Sequence, residues 1–174
     1  MAISLYDISV ANYLQTLDAV TGFLAKGEQF ARDNNELDLA KIVDTRLRPD
    51  MLPFRFQLIS VYHHSLGAIN GIKDGLFGPP PAMPDLDYAG LQKLVGDAAI
   101  ELRAMAREDV DGLEGRAIKF KAGKFEIPFT AEHFVLSFSL PNFYFHATTA
   151  YDMLRIAGVP LGKMDFLGNM RVAS

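Results

Sequence analysis

The chain of 174 residues contains no cysteine. Disulfide bridges, thiolate metal sites and cysteine nucleophiles are therefore excluded, and any metal would have to be bound by His, Asp, Glu or Asn. The sequence also lacks an excess of positive charge, because its formal net charge is -4. Nucleic-acid binders usually concentrate Lys and Arg on one face, so we expect no nucleic-acid partner.

Long apolar runs are absent as well. No run reaches the roughly 18 residues of a membrane span, so we expect no membrane partner. The first ten residues, MAISLYDISV, lack the basic-then-apolar pattern of a signal peptide, which favours a cytoplasmic location. No Ser-His-Asp order, phosphate loop or dinucleotide fingerprint is present, so the motifs leave open whether the protein is an enzyme.

The composition fits a single globular domain spanning residues 1–174. Hydrophobic residues make up 49% and charged residues 22% of the chain, which is close to the average of folded proteins and excludes a disordered or fibrous class. A chain of this length can bury one well-formed core, and a second domain is not expected.

Apolar periodicity predicts four long helices, at about residues 4–34, 50–73, 88–108 and 130–158, with a short extra turn near 37–43. Three successive prolines in the segment 75–84 exclude a helix there and predict a stiff connector. We expect Asp85 or Asp87 to cap the third helix, and Thr130 the fourth. The fold class predicted is therefore all-α, an up-down-up-down four-helix bundle.

A short β-hairpin is predicted before the last helix. In the stretch RAIKFKAGKFEIPF, apolar and charged residues alternate on both sides of Ala-Gly, which is typical of two paired strands. Because a lone hairpin is marginally stable, its aromatic face should pack on the helices.

The fourth helix carries Pro141 in its interior and many aromatic residues. We expect a kink at Pro141, since proline donates no hydrogen bond and its ring clashes with the preceding turn. The helix should end at Gly158, and the apolar tail that follows should dock on the domain.

Histidine is the most informative residue type, because it titrates near neutral pH and binds metals. In the predicted bundle, His63 or His64 on helix two and His146 on helix four lie near mid-helix and can meet in the core. His133 faces another direction, because thirteen residues correspond to a rotation of about 220°. We expect it to be solvated.

Other polar residues share faces with these histidines. Gln57, Ser60 and His64 are three and four positions apart on helix two, and Asn142 and His146 are one turn apart on helix four. They form either part of a metal site or a buried polar network. Asn142 is a poor third ligand, because an amide binds zinc weakly compared with imidazole. The aromatic residues around His146, including Tyr151, form either a ligand pocket or core.

Three stretches carry a resemblance to a known family: RLRPDMLPF at 46–54, LPNFYFHATTAYDMLR at 140–155 and GVPLGKMDFLG at 158–168. They resemble a functionally uncharacterised family of small bacterial and fungal proteins within the DinB/YfiT-like metalloenzyme superfamily. The resemblance implies a four-helix bundle, often a homodimer, with a central pocket. It also implies a metal on one helix-two histidine and an H-x-x-x-H pair, which would fall on His63 or His64 and on Asn142 and His146. Some relatives are hydrolases or thiol transferases.

Three hypotheses follow. In the first, a small molecule binds in a central pocket between helices two and four, lined by His64, Asn142, His146 and Tyr151, without a tightly held metal cofactor. In the second, a divalent metal such as Zn or Ni binds to His63, His64 and His146 and supports hydrolase or thiol-transferase chemistry. In the third, the bundle is a structural module whose partner is its own copy in a homodimer.

Overall fold

The computed structural model describes residues 3–34 and 36–172. The helices are α1 Leu5–Ile8, α2 Val10–Asn34, α3 Leu39–Ile42, α4 Phe54–His63, α5 Leu66–Asp74, α6 Tyr88–Arg103, α7 Arg107–Asp111, α8 Ala131–Phe134, α9 Leu140–Ile156 and α10 Lys163–Leu167. A π-helical turn, Val135–Ser139, joins α8 to α9. The strands are β1 Leu76–Phe77, β2 Ala117–Ala122 and β3 Phe125–Thr130.

The long helices pack around a shared core. Helix α2 packs against α6 and α9, and α4 packs against the same two helices. Tyr13, Phe23, Leu58 and Phe143 are fully buried between them. The mostly helical fold is confirmed, while the up-down-up-down order of the bundle stays a prediction.

The predicted second helix is shorter and broken. It begins at Phe54 rather than near residue 50, with Pro53 at the N-cap position. A proline disfavours the helical conformation at the residue before it, which here is Leu52. It is interrupted after His63, where Ser65 has φ -114° and ψ -88°. The hydroxyl of Ser65 donates to the carbonyl of Val61 at 2.7 Å, and such back-bonding bends helices.

The other long helices contain similar irregularities. The first is interrupted at Ser9, which has φ -113° and ψ -87°, and the third ends at Arg103 rather than near residue 108. In the fourth, the irregularity is the π-helical turn that ends two residues before Pro141. A π-turn changes the hydrogen-bond spacing just where proline supplies no donor.

The hairpin is confirmed, but the sheet has a third strand. β2 and β3 pair antiparallel, and their aromatic residues pack on helix four, with Phe120 at 4.9 Å from Phe138 between ring centroids. The segment 75–84 is not only a connector, because Leu76 and Phe77 pair parallel to β2. Gly75, at φ 73°, ends α5 and turns the chain toward β2.

The predicted helix caps and the docked tail are also present. The side chains of Asp87 and Thr130 accept hydrogen bonds at the starts of α6 and α8, and Gly158 follows α9 at φ 93°. Helix α10 packs on α2, where Leu167 accepts a hydrogen bond from Gln15. Within the described residues, no helix has the length and apolar character needed to cross a membrane.

Candidate functional site

The structure brings His64 and His146 together. Their ring centroids are 6.0 Å apart and their planes differ by 14°. His64 is 4% exposed at the break between α4 and α5, whereas His146 is partly exposed on α9. The predicted meeting of helix two and helix four at these histidines is therefore observed.

Gln57 fixes the proton of His146. The side-chain Nε2 of Gln57 donates to the carbonyl of Leu52 at 2.9 Å, so the amide oxygen Oε1 must face the other way. That oxygen lies 2.7 Å from Nδ1 of His146. Because an oxygen can only accept, Nδ1 carries the proton and Nε2 of His146 keeps its lone pair.

Both histidines are neutral at neutral pH. Burial lowers the pKa of His64 to about 3, with smaller contributions from the neighbouring His63 and His146. Burial lowers the pKa of His146 to about 4. The two rings therefore offer lone pairs rather than positive charge.

His63 is oriented by the connector. Its Nε2 donates to the carbonyl of Gly78 at 2.8 Å, and its ring stacks on Phe77 with centroids 4.2 Å apart. Burial lowers the pKa of His63 as well. The ring centroid of His63 is 5.3 Å from that of His64, so all three histidines belong to one cluster.

Two residues that the sequence did not single out support this cluster from behind. Ser139 donates to the main-chain carbonyl of His64 at 2.7 Å, and the hydroxyl of Tyr13 lies 2.7 Å from Ser139. Because the Ser139 hydroxyl has one proton, Tyr13 is the donor in the second bond. Each of these two residues stands alone on an otherwise apolar helix face, so no sequence pattern indicates that they interact.

Two buried polar atoms have no hydrogen-bond partner among the described protein atoms: Nδ1 of His64 and Oγ of Ser60. Ser60 is fully buried and lies one helical turn before His64 on the same face. Buried polar atoms are nearly always hydrogen-bonded, so these two indicate a place where a bound molecule or water contributes.

The remaining predicted site residues differ in position. Asn142 lies on the His146 face, and its Nδ2 donates to the carbonyl of Phe138 at 2.7 Å. Tyr151 packs instead against Phe23 and Phe166, at 6.0 and 5.7 Å between ring centroids. Five residues after His146 correspond to a rotation of about 140°, which explains why Tyr151 faces away. His133 is exposed, as predicted.

The donor set does not complete a metal site with three protein ligands. Within residues 3–34 and 36–172, no three His, Asp or Glu side chains are grouped so that they could hold a metal ion. Catalytic zinc normally has three protein ligands and an open position. The cluster supplies imidazoles and an amide but no carboxylate.

Several cavities lie on the surface of the protein. One, of about 380 Å³, is lined partly by Ile42, Met153 and Ile156. Another, of about 290 Å³, lies next to Phe56. The central pocket between helices two and four stays a prediction.

Comparison with known proteins places the fold. The chain is similar to the crystal structure, at 1.83 Å resolution, of a DinB family member protein from Shewanella denitrificans, with a TM-score of 0.79 and 24% identity over 98% of this chain and 95% of that one. At this identity the likeness shows a shared fold and no more. No curated protein matches the chain. One family model matches residues 5–167, so the chain belongs to the family described as a domain of unknown function, DUF1993.

Proposed function

We propose that the protein binds a small molecule between α4 and α9, and that this ligand donates a hydrogen bond to Nε2 of His146. The observation that carries the proposal is the hydrogen bond between Nδ1 of His146 and Gln57. It leaves a partly exposed imidazole with a fixed tautomer and an outward lone pair. Binding sites commonly use a few such oriented polar groups for specificity.

The buried side of the cluster supports the same proposal. Nδ1 of His64 and Oγ of Ser60 have no protein partner in the described chain, and leaving such atoms unpaired costs about 1–3 kcal/mol each. A ligand that reaches them, directly or through a water molecule, would recover part of that free energy. Asn142 lies on the same face of α9 as His146 and can take part, whereas Tyr151 is not included.

The test uses protein labelled with ¹⁵N at histidine. The labelled protein is titrated with small alcohols and amides, and the Nε2 resonance is followed by NMR. A donor probe that binds should move the His146 signal in a saturable way. The exposed His133 on α8 is an internal control whose signal should stay in place. If no probe moves His146 more than His133, the proposal is wrong.

A divalent metal such as Zn or Ni is the second candidate. One observation favours it: metal-bound histidines usually donate their other ring nitrogen to an oxygen, as His146 does to Gln57. Hydrolase or thiol-transferase activity depends on this candidate. Elemental analysis of protein purified without chelator tests this candidate. It expects about one metal ion per chain in the wild type and less in a His146→Gln variant. The same low metal content in both proteins would contradict it.

Homodimer formation also stays a proposal. Four large apolar residues of the fourth helix are exposed, namely Leu136, Tyr144, Phe145 and Ile156, and exposed apolar residues mark association surfaces where they are contiguous. Light scattering should then give twice the mass of the chain. A Phe145→Ser variant should shift the mass toward one chain, and a monomeric wild type would exclude this proposal.

A further inference from the structure

The segment between α5 and α6 is strapped to α4 at both ends. His63 donates to the carbonyl of Gly78 at 2.8 Å, and Nε of Arg55 donates to the carbonyl of Leu86 at 2.8 Å. Between these two points the chain contains Pro79, Pro80, Pro81 and Pro84, which have no N–H to donate. The prolines therefore cannot donate main-chain hydrogen bonds to α4.

An apolar groove of about 290 Å³ lies between this stretch and α4. Its lining includes Leu52, Phe56, Ile59, Pro81 and Met83; we call it the proline groove. Among the described residues that line it, only Arg55 is charged. The guanidinium of Arg55 is already held by Asp44 at 2.9 Å, so the groove favours an apolar occupant over an anionic one.

The proline groove adjoins the His146 cluster through two residues, Phe56 and Leu52. Phe56 lines the groove, and its ring lies edge-on to the His146 ring, with centroids 5.8 Å apart. Leu52 lines the groove as well, and its carbonyl holds the amide of Gln57 that orients His146. Phe56 and Leu52 therefore line the groove and also contact the residues that position the His146 ring.

We propose that the proline groove binds the apolar part of the ligand whose polar head donates to His146. The ligand class is then a small amphipathic molecule with a hydrogen-bond donor, such as a hydroxyl, at one end of an aliphatic chain or ring. This inference rests on the proposed function, to which it adds the apolar half of the ligand. The fixed prolines and the two strapping hydrogen bonds hold the groove open before binding, which lowers the entropic cost of binding.

The experiment is a titration with 1-butanol, 1-hexanol and 1-octanol, followed through the His146 signal and the methyl signal of Met83. If the chain enters the groove, affinity rises roughly fourfold per methylene group until the groove is full. Both signals then move with the same dissociation constant. The variant Ala82→Trp fills the groove from an exposed position, and it should abolish the dependence on chain length while His146 still responds.

The control variant is Ala89→Trp, which places the same ring at an exposed alanine of α6 outside the groove. It should behave as the wild type. A His146 response that is independent of chain length overturns the groove assignment and leaves the proposed function standing. A Met83 response that depends on chain length without a His146 response overturns both. If affinity does not change along the alcohol series and Ala82→Trp converts a dimer to a monomer, the groove would be assigned to a second copy of the chain instead, which overturns this inference.

Discussion

The hydroxyl of Ser139 lies 2.7 Å from the main-chain carbonyl oxygen of His64 and donates a hydrogen bond to it. This contact joins the last residue of the π-helical turn to the break between α4 and α5. In an uninterrupted helix the carbonyl of His64 would accept from Ala68, but Ala68 donates to Ser65 here. The His64 carbonyl, which loses its helical partner at the break, is therefore hydrogen-bonded by a side chain of the fourth helix.

Replacing Ser139 by alanine should destabilise the protein by about 1–3 kcal/mol, because the buried hydroxyl of Tyr13 and the carbonyl of His64 both lose their partner. Urea denaturation measures the change. The matched control is Ser137→Ala, two residues earlier, since the Ser137 hydroxyl is exposed and donates only to a carbonyl of its own helix. Equal stability of both variants would show that the Ser139 contact contributes nothing.

Replacing Gln57 by glutamate should raise the pKa of His146 from about 4. A carboxylate beside Nδ1 stabilises the imidazolium form, which opposes the effect of burial. The His146 signal in an NMR titration from pH 3 to pH 8 gives the pKa directly. Gln29→Glu changes the charge equally at an exposed position of α2 and should leave it unchanged. An unmoved His146 pKa in Gln57→Glu would contradict the assigned hydrogen bond.

Acid should destabilise the protein through the buried histidines. The pKa values of His64 and His146 are lowered to about 3 and about 4 in the folded state, below the value of about 6.5 in an unfolded chain. As the pH falls below 6.5, the unfolded state binds protons that the folded state does not. The free energy of unfolding therefore decreases, by at most about 1.4 kcal/mol per pH unit for each histidine, until the folded pKa is passed.

Urea denaturation at pH 7, 6, 5 and 4 checks this dependence. His64→Leu removes one of the buried histidines whose pKa is lowered, and it should flatten the decrease. His133→Leu makes the same substitution at an exposed position and is the control. If His64→Leu and wild type lose stability in parallel, the buried histidine is not the cause.

Replacing Gly168 by alanine should loosen the docked tail. Gly168 has φ 61° and ψ -148°, a conformation that costs a residue with a Cβ about 1–3 kcal/mol. The added Cβ would also lie 3.1 Å from the carbonyl oxygen of Gln15. Hydrogen exchange of the α10 amides should become faster. Gly162→Ala is the control, because Gly162 has φ -121° and its added Cβ meets nothing closer than 3.8 Å. Unchanged exchange in Gly168→Ala would contradict the docking geometry.

Much of the candidate site follows from local spacing. The interval of three and four residues between Gln57, Ser60 and His64 places them on one helix face, and all three are buried there. His63 or His64 lies near the middle of helix two and His146 near the middle of helix four, and these positions predict that the histidines meet in the core. The spacing left open which helix-two histidine comes closest to His146, and it included Tyr151, because rotation about the helix axis depends on packing with distant segments.

The mostly helical fold, the hairpin, the caps at Asp87, Thr130 and Gly158, and the histidine pair could all be predicted from the sequence, because they depend on periodicity and on the conformational preferences of neighbouring residues. The third strand at Leu76–Phe77, the side chain that satisfies the His64 carbonyl and the tautomer of His146 are visible only in the folded chain. Each of these depends on a hydrogen bond or strand pairing shaped by residues far apart in the chain, such as Ser139 with His64 and Gln57 with His146. Spacing along the chain does not encode such distances.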